Sequence, residues 1–292
     1  VAIEEVFMRH IRGKKALVTG AASGIGRAIA VRLAEEGVAL FLVDVDETGL
    51  AGVADAARRA GVEVIARKCD VGQPHEVSAT VAAIVDRWNG VDILVNNAGI
   101  TYYGRTHEMS ADHWDRLLRI NLNSHVQFTR ELLPSLLARR EAHVVNVCSM
   151  FGLIGMPKLA AYSTSKFALV GFSDALRAEY GREGLGVTAL CPGFVATNLF
   201  TSAPLPENGK GPKIPPKFFC TTPEKVARAA VRAIRRNRRL VVVEPFAKFL
   251  CTVKRLTPGV VDFFLHLGRR GRIAKKIARL KAEQSGTERR AA

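Results

Sequence analysis

The sequence is poor in several things, and each shortage narrows what the chain is. Its five cysteines, Cys69, Cys148, Cys191, Cys220 and Cys251, are scattered and form no C-x-x-C pair, which argues against zinc. Their odd number and wide spacing suit a reducing cytosol. His107, His113, His125 and His266 share no ligand spacing and read as surface or packing residues, so no metal is expected. Val1 to Arg12 hold no apolar run resembling a signal peptide, so secretion is not indicated and a cytoplasmic protein is expected. There is no internal repeat beyond an alternation of strands and helices, and no low-complexity linker. A length of 292 residues suits one large core.

Acidic residues run short at one end only. From Lys225 onward there are 19 Lys/Arg against 4 Asp/Glu, a net +15 out of the whole chain's +16. The rest of the sequence is close to neutral.

What is present begins with Lys15-Ala-Leu-Val-Thr19, a short buried strand. It runs into Gly20-Ala-Ala-Ser-Gly24-Ile-Gly26 and then into a helix with Ile25, Ile29 and Leu33 on one face, ended by Gly37. Strand, glycine turn and helix is the context that gives a glycine motif meaning. Gly20 allows the tight turn, Gly24 lets the backbone approach a diphosphate, and Gly26 lets the helix pack close to the sheet. Free N–H groups at the helix start would meet the phosphates. The next strand, Ala39–Val43, ends in Asp44, where a carboxylate accepts hydrogen bonds from adenosine ribose hydroxyls. A 2′-phosphate there would meet a like charge, which favours NAD over NADP. The alternative is that Asp44 only starts the turn Asp44-Val45-Asp46.

The pattern repeats. Val62–Ala66 leads to Cys69-Asp70-Val71, Val91–Val95 to Asn96-Asn97-Ala98-Gly99, and His143–Val147 to Ser149. Polar and small residues thus gather beyond the carboxyl ends of the strands, where open α/β sheets bind ligands. The fold class expected is a single α/β domain with a doubly wound, mostly parallel sheet.

Tyr162 and Lys166 stand at i and i+4 on one helix face, with Ser149 thirteen residues before the tyrosine. An ordinary phenol has a pKa of about 10 and is a poor base near neutrality. An ammonium beside it would favour the phenolate and lower that value. Ser149 would hold an alcohol or carbonyl oxygen against the phenol.

Taken together, Thr19-Gly-x-x-x-Gly24-x-Gly26, Asp70, Asn96-Asn97-Ala98-Gly99, Ser149 with Tyr162-x-x-x-Lys166, and Pro192-Gly193 with Thr197 occur in the order of a classical short-chain dehydrogenase/reductase. The chain resembles that family from about Lys14 to Pro245. The resemblance implies a Rossmann-type domain, a nicotinamide cofactor and a homodimer or homotetramer. It implies Tyr162 as general acid/base, Lys166 as its modulator and a ribose ligand, and Ser149 as the group that orients the reacting oxygen. Asn121, in Arg119-Ile-Asn-Leu-Asn123, matches the asparagine that holds a relay water; Asn123 is the neighbour with which it could be confused. The cofactor contacts implied are Gly20, Ser23, Gly24, Ile25 and Gly26 in the turn, then Asp44, Asp70 and Val71. Asn97, Ala98 and Gly99 follow, with Tyr162 and Lys166. Pro192, Gly193, Val195 and Thr197 close the set. A non-catalytic dinucleotide sensor or scaffold that binds partners through its basic end is the second reading.

Specificity is expected from Met150–Ala161 and from 198–222. Phe151, Met156 and Leu159 make the first segment apolar, with no arginine to clamp a carboxylate; the second is rich in Pro and Gly, as mobile lids are. An apolar secondary alcohol or ketone, such as a steroid, retinoid-like or lipid-derived molecule, is the expected substrate. Three parts result: a lead over 1–13, a catalytic domain over 14–245 and an extension over 246–292. The extension mixes Phe246, Phe249, Val253 and Leu256 with Lys248, Lys254 and Arg255, and a further basic helix is expected around Ile273, Ile277 and Leu280. Its apolar runs fall short of the roughly 18 residues that span a bilayer. It reads as an anionic membrane-surface element, with packing on the enzyme or a sister subunit as the alternative. Nucleic acid is disfavoured, because the most basic stretch lacks interleaved aromatics.

Overall fold

The computed structural model describes residues 8–197, 199, 204–205, 220–260 and 263. The helix expected around Ile273 and most of 198–222 lie outside the described residues. Seven strands form one parallel sheet: β1 (Lys15–Thr19), β2 (Ala39–Asp44), β3 (Val64–Lys68), β4 (Ile93–Asn96), β5 (Ala142–Val147), β6 (Leu185–Cys191) and β7 (Leu240–Val242). They lie in the order β3-β2-β1-β4-β5-β6-β7, so the chain reverses direction across the sheet between β1 and β4. The connecting helices are α1 (Gly24–Glu35), α2 (Glu47–Arg58), α3 (Pro74–Trp88), α4 (Ala111–Leu118), α5 (Ser124–Leu137), α6 (Ala160–Tyr180), α7 (Pro223–Arg235) and α8 (Pro245–Leu256).

Side chains that alternate along each strand divide the core in two. Ala16, Val18, Leu40, Leu42 and Val145 pack under α1, α2 and α7 through Ile29, Leu33, Leu50, Val53 and Ile234. Leu17, Phe41, Leu94 and Val144 face the other way, against Val77 and Ile84 of α3 and Phe128 and Leu132 of α5. Each fully buried Leu or Ile contributes roughly 1.5–3 kcal/mol. β3 begins two residues later than the apolar run Val62–Ala66 implies. Only its Val64 is buried, so the register comes from pairing with β2, where Leu40 faces Val64, rather than from the strand's own hydrophobicity. Met8 and Ile11 are buried in the core, so the expected lead belongs in part to the catalytic domain. The chain separates into two compact units, 1–247 and 248–292; the described part of the second carries most of α8.

Two histidines are buried deeply enough to matter: His125, expected as a surface or packing residue, and His143, at the start of β5. His143 pairs through Nε2 with Thr188 Oγ1 at 2.8 Å, and His125 through Nε2 with the Ala98 carbonyl at 2.8 Å. Burial pushes both rings down to about 3. Unfolded chain takes up these protons from about pH 6.5 downward, and folded chain only near 3, so acid favours unfolding within that window. Unfolding free energy is therefore predicted to fall by about 2 kcal/mol per histidine between pH 6.5 and 5. Urea titrations at both pH values check this, and His143→Gln should lose its share of the pH dependence whatever its own stability.

Candidate active site

β1 ends in Thr19, and the chain then turns through Gly20 at φ +63° and Gly24 at φ +54°, both in the left-handed region. Gly26 is required by contact: a Cβ there would sit 2.0 Å from the Gly20 carbonyl oxygen. The turn is fastened from β4. Asn97 Nδ2 donates to the Thr19 and Gly20 carbonyls at 2.9 and 3.0 Å, while Thr19 Oγ1 accepts from Asn97 N and Ala98 N at 2.9 and 3.0 Å. Ser23 is the N-cap of α1, yet its side chain caps nothing, whereas Asp46, Ser110 and Thr222 cap α2, α4 and α7. The first N–H groups of α1 are thus left to whatever occupies the cleft.

That cleft has a volume of about 1140 Å³ and runs across the carboxyl ends of the strands. Gly20, Ser23, Gly24 and Ile25 line it, as do Asp44, Asp70 and Val71. Asn97, Ala98, Gly99, Tyr162, Lys166 and Thr197 also border it. Asp44 is held in place, its Oδ2 accepting from Ala22 N at 2.9 Å and its Oδ1 from Asp46 N at 3.1 Å. Asp70 Oδ1 accepts from Gly72 N at 2.9 Å, which shapes the turn after β3. A glycine cradle, an uncapped helix start and a fixed carboxylate fit a dinucleotide.

At the inner end, Ser149 caps the short turn Met150–Gly152, its Oγ accepting from Phe151 N at 3.2 Å. Gly152 lets this turn touch α6, since a Cβ there would lie 2.6 Å from the Lys166 carbonyl oxygen. Ser149 and Tyr162 are thereby brought into a side-chain hydrogen bond. Lys166 donates through Nζ to the Val147 carbonyl at 2.8 Å and stands 5.8 Å from the centre of the Tyr162 ring. Ser149, Tyr162 and Lys166 are all buried.

The electrostatics correct one expectation. Lys166 does not bring the phenol down. Burial pushes Tyr162 up to about 12, only partly offset by Ser149, and burial pulls Lys166 down to about 8. Desolvation disfavours both charged forms, and one donor of the ammonium goes to a backbone carbonyl.

Asn121 lies in a π-helical turn, Arg119–Asn123, between α4 and α5, and turns of this kind recur at functional sites. Its carboxamide is committed to Ile100, accepting from N and donating to O at 2.8 Å each, and reaches Ser165 Oγ at 3.3 Å. Pro192 and Gly193 follow β6; the Pro192 carbonyl accepts from Met150 N at 2.8 Å, and Gly193 N donates to Glu244. Val195 bridges to Thr221. The three residues assigned to the substrate fare differently. None of the three borders the cleft: Phe151 is buried edge-on against Phe194, Leu159 is buried, and Met156 is partly exposed away from it.

Sequence reasoning missed Arg27, Glu224 and Arg228, which border the cleft, and Glu244. Glu244 follows β7 as Asp44 ends β2, so the rule of strand carboxyl ends could have found it.

Strand order, glycine turn and the Ser149–Tyr162–Lys166 group define a dinucleotide-binding oxidoreductase of Rossmann type. The profile of short chain dehydrogenases matches residues 14–208, and the chain belongs to that family. SadH of Mycobacterium tuberculosis, provisionally named an oxidoreductase, is 34% identical over 273 residues, covering 88% of this chain and 99% of SadH. A short chain dehydrogenase/reductase from Burkholderia phymatum, solved with NAD, is 29% identical with a TM-score of 0.76, covering 87% of this chain and 96% of that one. A variant of actinorhodin polyketide ketoreductase, solved with NADPH, is 34% identical with a TM-score of 0.71, covering 79% and 95%. The cofactor is accordingly a nicotinamide dinucleotide.

Proposed function

We propose that the enzyme prefers NAD and interconverts an apolar secondary alcohol and its ketone. The observation that carries this is the buried Tyr162–Lys166 pair, with Ser149 hydrogen-bonded to Tyr162, bordering a cleft that is also lined by the fixed Asp44 carboxylate. A bound nicotinamide supplies the carbon that gives or takes hydride. Tyr162 Oη holds the proton that leaves the alcohol, or returns to the ketone oxygen. Ser149 donates to the same oxygen and orients it, so charge that develops there meets a preset donor. Lys166, fixed by Val147, places a positive charge beside the phenol when protonated and would hold a ribose hydroxyl of the bound dinucleotide. Asn121 acts by fixing the π-helical turn under Ile100, and a water held by that turn would complete a proton path.

The substrate reading rests on the apolar Met150–Ala161 segment. Met156 is taken to face the substrate, with Phe151 and Leu159 stiffening that wall from behind. The polyketide ketoreductase among the similar structures favours ketone reduction as one working direction. A homodimer or homotetramer is the proposed assembly. α8 carries no acidic residue and exposes Phe249 and Leu256, seven apart, beside Lys248 and Arg255, which supports contact with an anionic membrane surface. Among the described residues no helix is long and apolar enough to cross a membrane.

The test follows NADH formation and consumption with apolar secondary alcohols and ketones, with and without anionic vesicles. Turnover of apolar pairs but not of carboxylated ones supports the reading, and preference for a charged substrate overturns it. Stimulation or co-sedimentation with anionic but not neutral vesicles supports the surface contact.

A further inference from the structure

β6 delivers the chain to Pro192-Gly193, and the segment that leaves there returns at Thr221. The two ends are stitched together: Thr221 N donates to the Phe194 carbonyl at 2.8 Å, Ala196 N donates to the Thr221 carbonyl at 3.0 Å, and Val195 bridges Thr221. One acidic side chain holds both ends. Glu244 Oε2 accepts from Gly193 N, and the same carboxyl hydrogen-bonds the Thr221 side chain. Its other oxygen, Oε1, is buried and has no hydrogen-bond partner among the described residues. Fit is tight, for a Cβ on Gly193 would lie 2.5 Å from Glu244 Oε2 and 3.0 Å from Ala247 Cβ. On this same stretch, Thr197 borders the cleft and its methyl lies against Gly24.

A carboxyl in such a place is costly. Burial drives its proton affinity up, and the Gly193 and Thr221 donors offset this only in part. An apolar side chain would fill the space without that cost but would leave the Gly193 N–H unpaired. The arrangement makes sense if the position of Gly193 matters more than the desolvation.

We propose that Glu244 is a positioning residue of the reaction, clamping Gly193 and Thr221 so that the Pro192–Thr197 segment forms a fixed wall for the nicotinamide end of the dinucleotide. The inference rests on the dinucleotide reading above and adds a residue that touches neither cofactor nor substrate. Loss of the clamp should be felt as roughly a tenfold change in NADH affinity, about 1.4 kcal/mol.

Calorimetric titration of the full chain with NADH and with ADP-ribose, which lacks the nicotinamide, tests it. Glu244→Ala should weaken NADH about tenfold and leave ADP-ribose within about twofold, with kcat falling further than KM rises. Glu244→Gln keeps an oxygen to accept from Gly193 N and should recover most of the NADH affinity. Equal losses for both ligands mean a general loosening and overturn the proposal, as does unchanged NADH affinity. Should Glu244→Ala fail to fold, Thr221→Val removes the second partner alone and should give the same split between ligands in smaller measure; no split there overturns it. A wild-type chain that binds ADP-ribose but not NADH removes the dinucleotide reading itself, and that result is read without any variant.

Discussion

Tyr162→Phe is expected to lower kcat by about 10³-fold while leaving NADH affinity within about twofold. The substitution keeps the ring and its volume in a buried site and removes only Oη, so packing against α6 survives. What is lost is the proton carrier and the partner of Ser149, and general acid–base catalysis of this kind contributes roughly 10²–10⁴-fold. The pH dependence sharpens the test. In oxidation the tyrosine must be free to accept a proton, and burial holds it up to about 12, so the wild-type rate should climb with pH through neutrality. Lys166, pulled down to about 8, loses its charge inside the same range, and the climb should break there. In Tyr162→Phe the residual rate should be flat, and in Lys166→Ala the break near 8 should disappear. A variant that keeps a tenth or more of the wild-type kcat would remove Tyr162 from the chemistry. If the wild type itself turns nothing over while binding NADH, the sensor reading gains ground.

The glycine turn and the strand-end carboxylates that border the cleft were legible from the chain because backbone makes them. Gly20, Gly24 and Gly26 are needed where a turn, a left-handed φ or a 2.0 Å approach forbids a side chain, and such requirements leave a spaced glycine pattern. Asp44 and Asp70 were found by the same logic, since strand ends point to the cleft whatever the strands contain. The substrate half was much less legible. Phe151 and Leu159 are apolar, and apolar residues next to a site serve equally as lining or as support; only the fold decides, and it buries both. The proton balance of Tyr162 was misjudged for a related reason. Helical spacing says that a lysine is near, but it says nothing about how much water the pair has lost, and here desolvation outweighs the neighbour. Glu244 escaped because its partners, Gly193 and Thr221, are remote in sequence and joined only by the fold.

Removing the charge of Asp44 should move cofactor choice further than any other single change outside the proton-handling group. Both carboxylate oxygens already accept backbone N–H groups, from Ala22 and Asp46, so the side chain cannot swing away from an incoming ribose. A 2′-phosphate brought beside it sets like charges a few ångströms apart. At 4 Å a pair of unit charges interacts by about 1 kcal/mol in water and about 4 kcal/mol near a protein surface, or roughly 5- to 1000-fold in preference. Asp44→Ala removes that repulsion and also strips the Ala22 and Asp46 N–H groups of their acceptor, so affinity for both cofactors should drop. Asp44→Asn removes the charge and keeps one acceptor in nearly the same shape. The ratio of kcat/KM for NAD to that for NADP should therefore fall in both variants, by about fivefold or more, with the absolute rate better preserved in Asn. The similar solved structures hold NAD in one case and NADPH in the other, so both outcomes lie within the family's chemistry. A ratio unchanged in Asp44→Asn would mean that the carboxylate serves only the turn into α2, and that whatever discrimination the enzyme has comes from residues such as Arg27 and Arg228 elsewhere on the cleft.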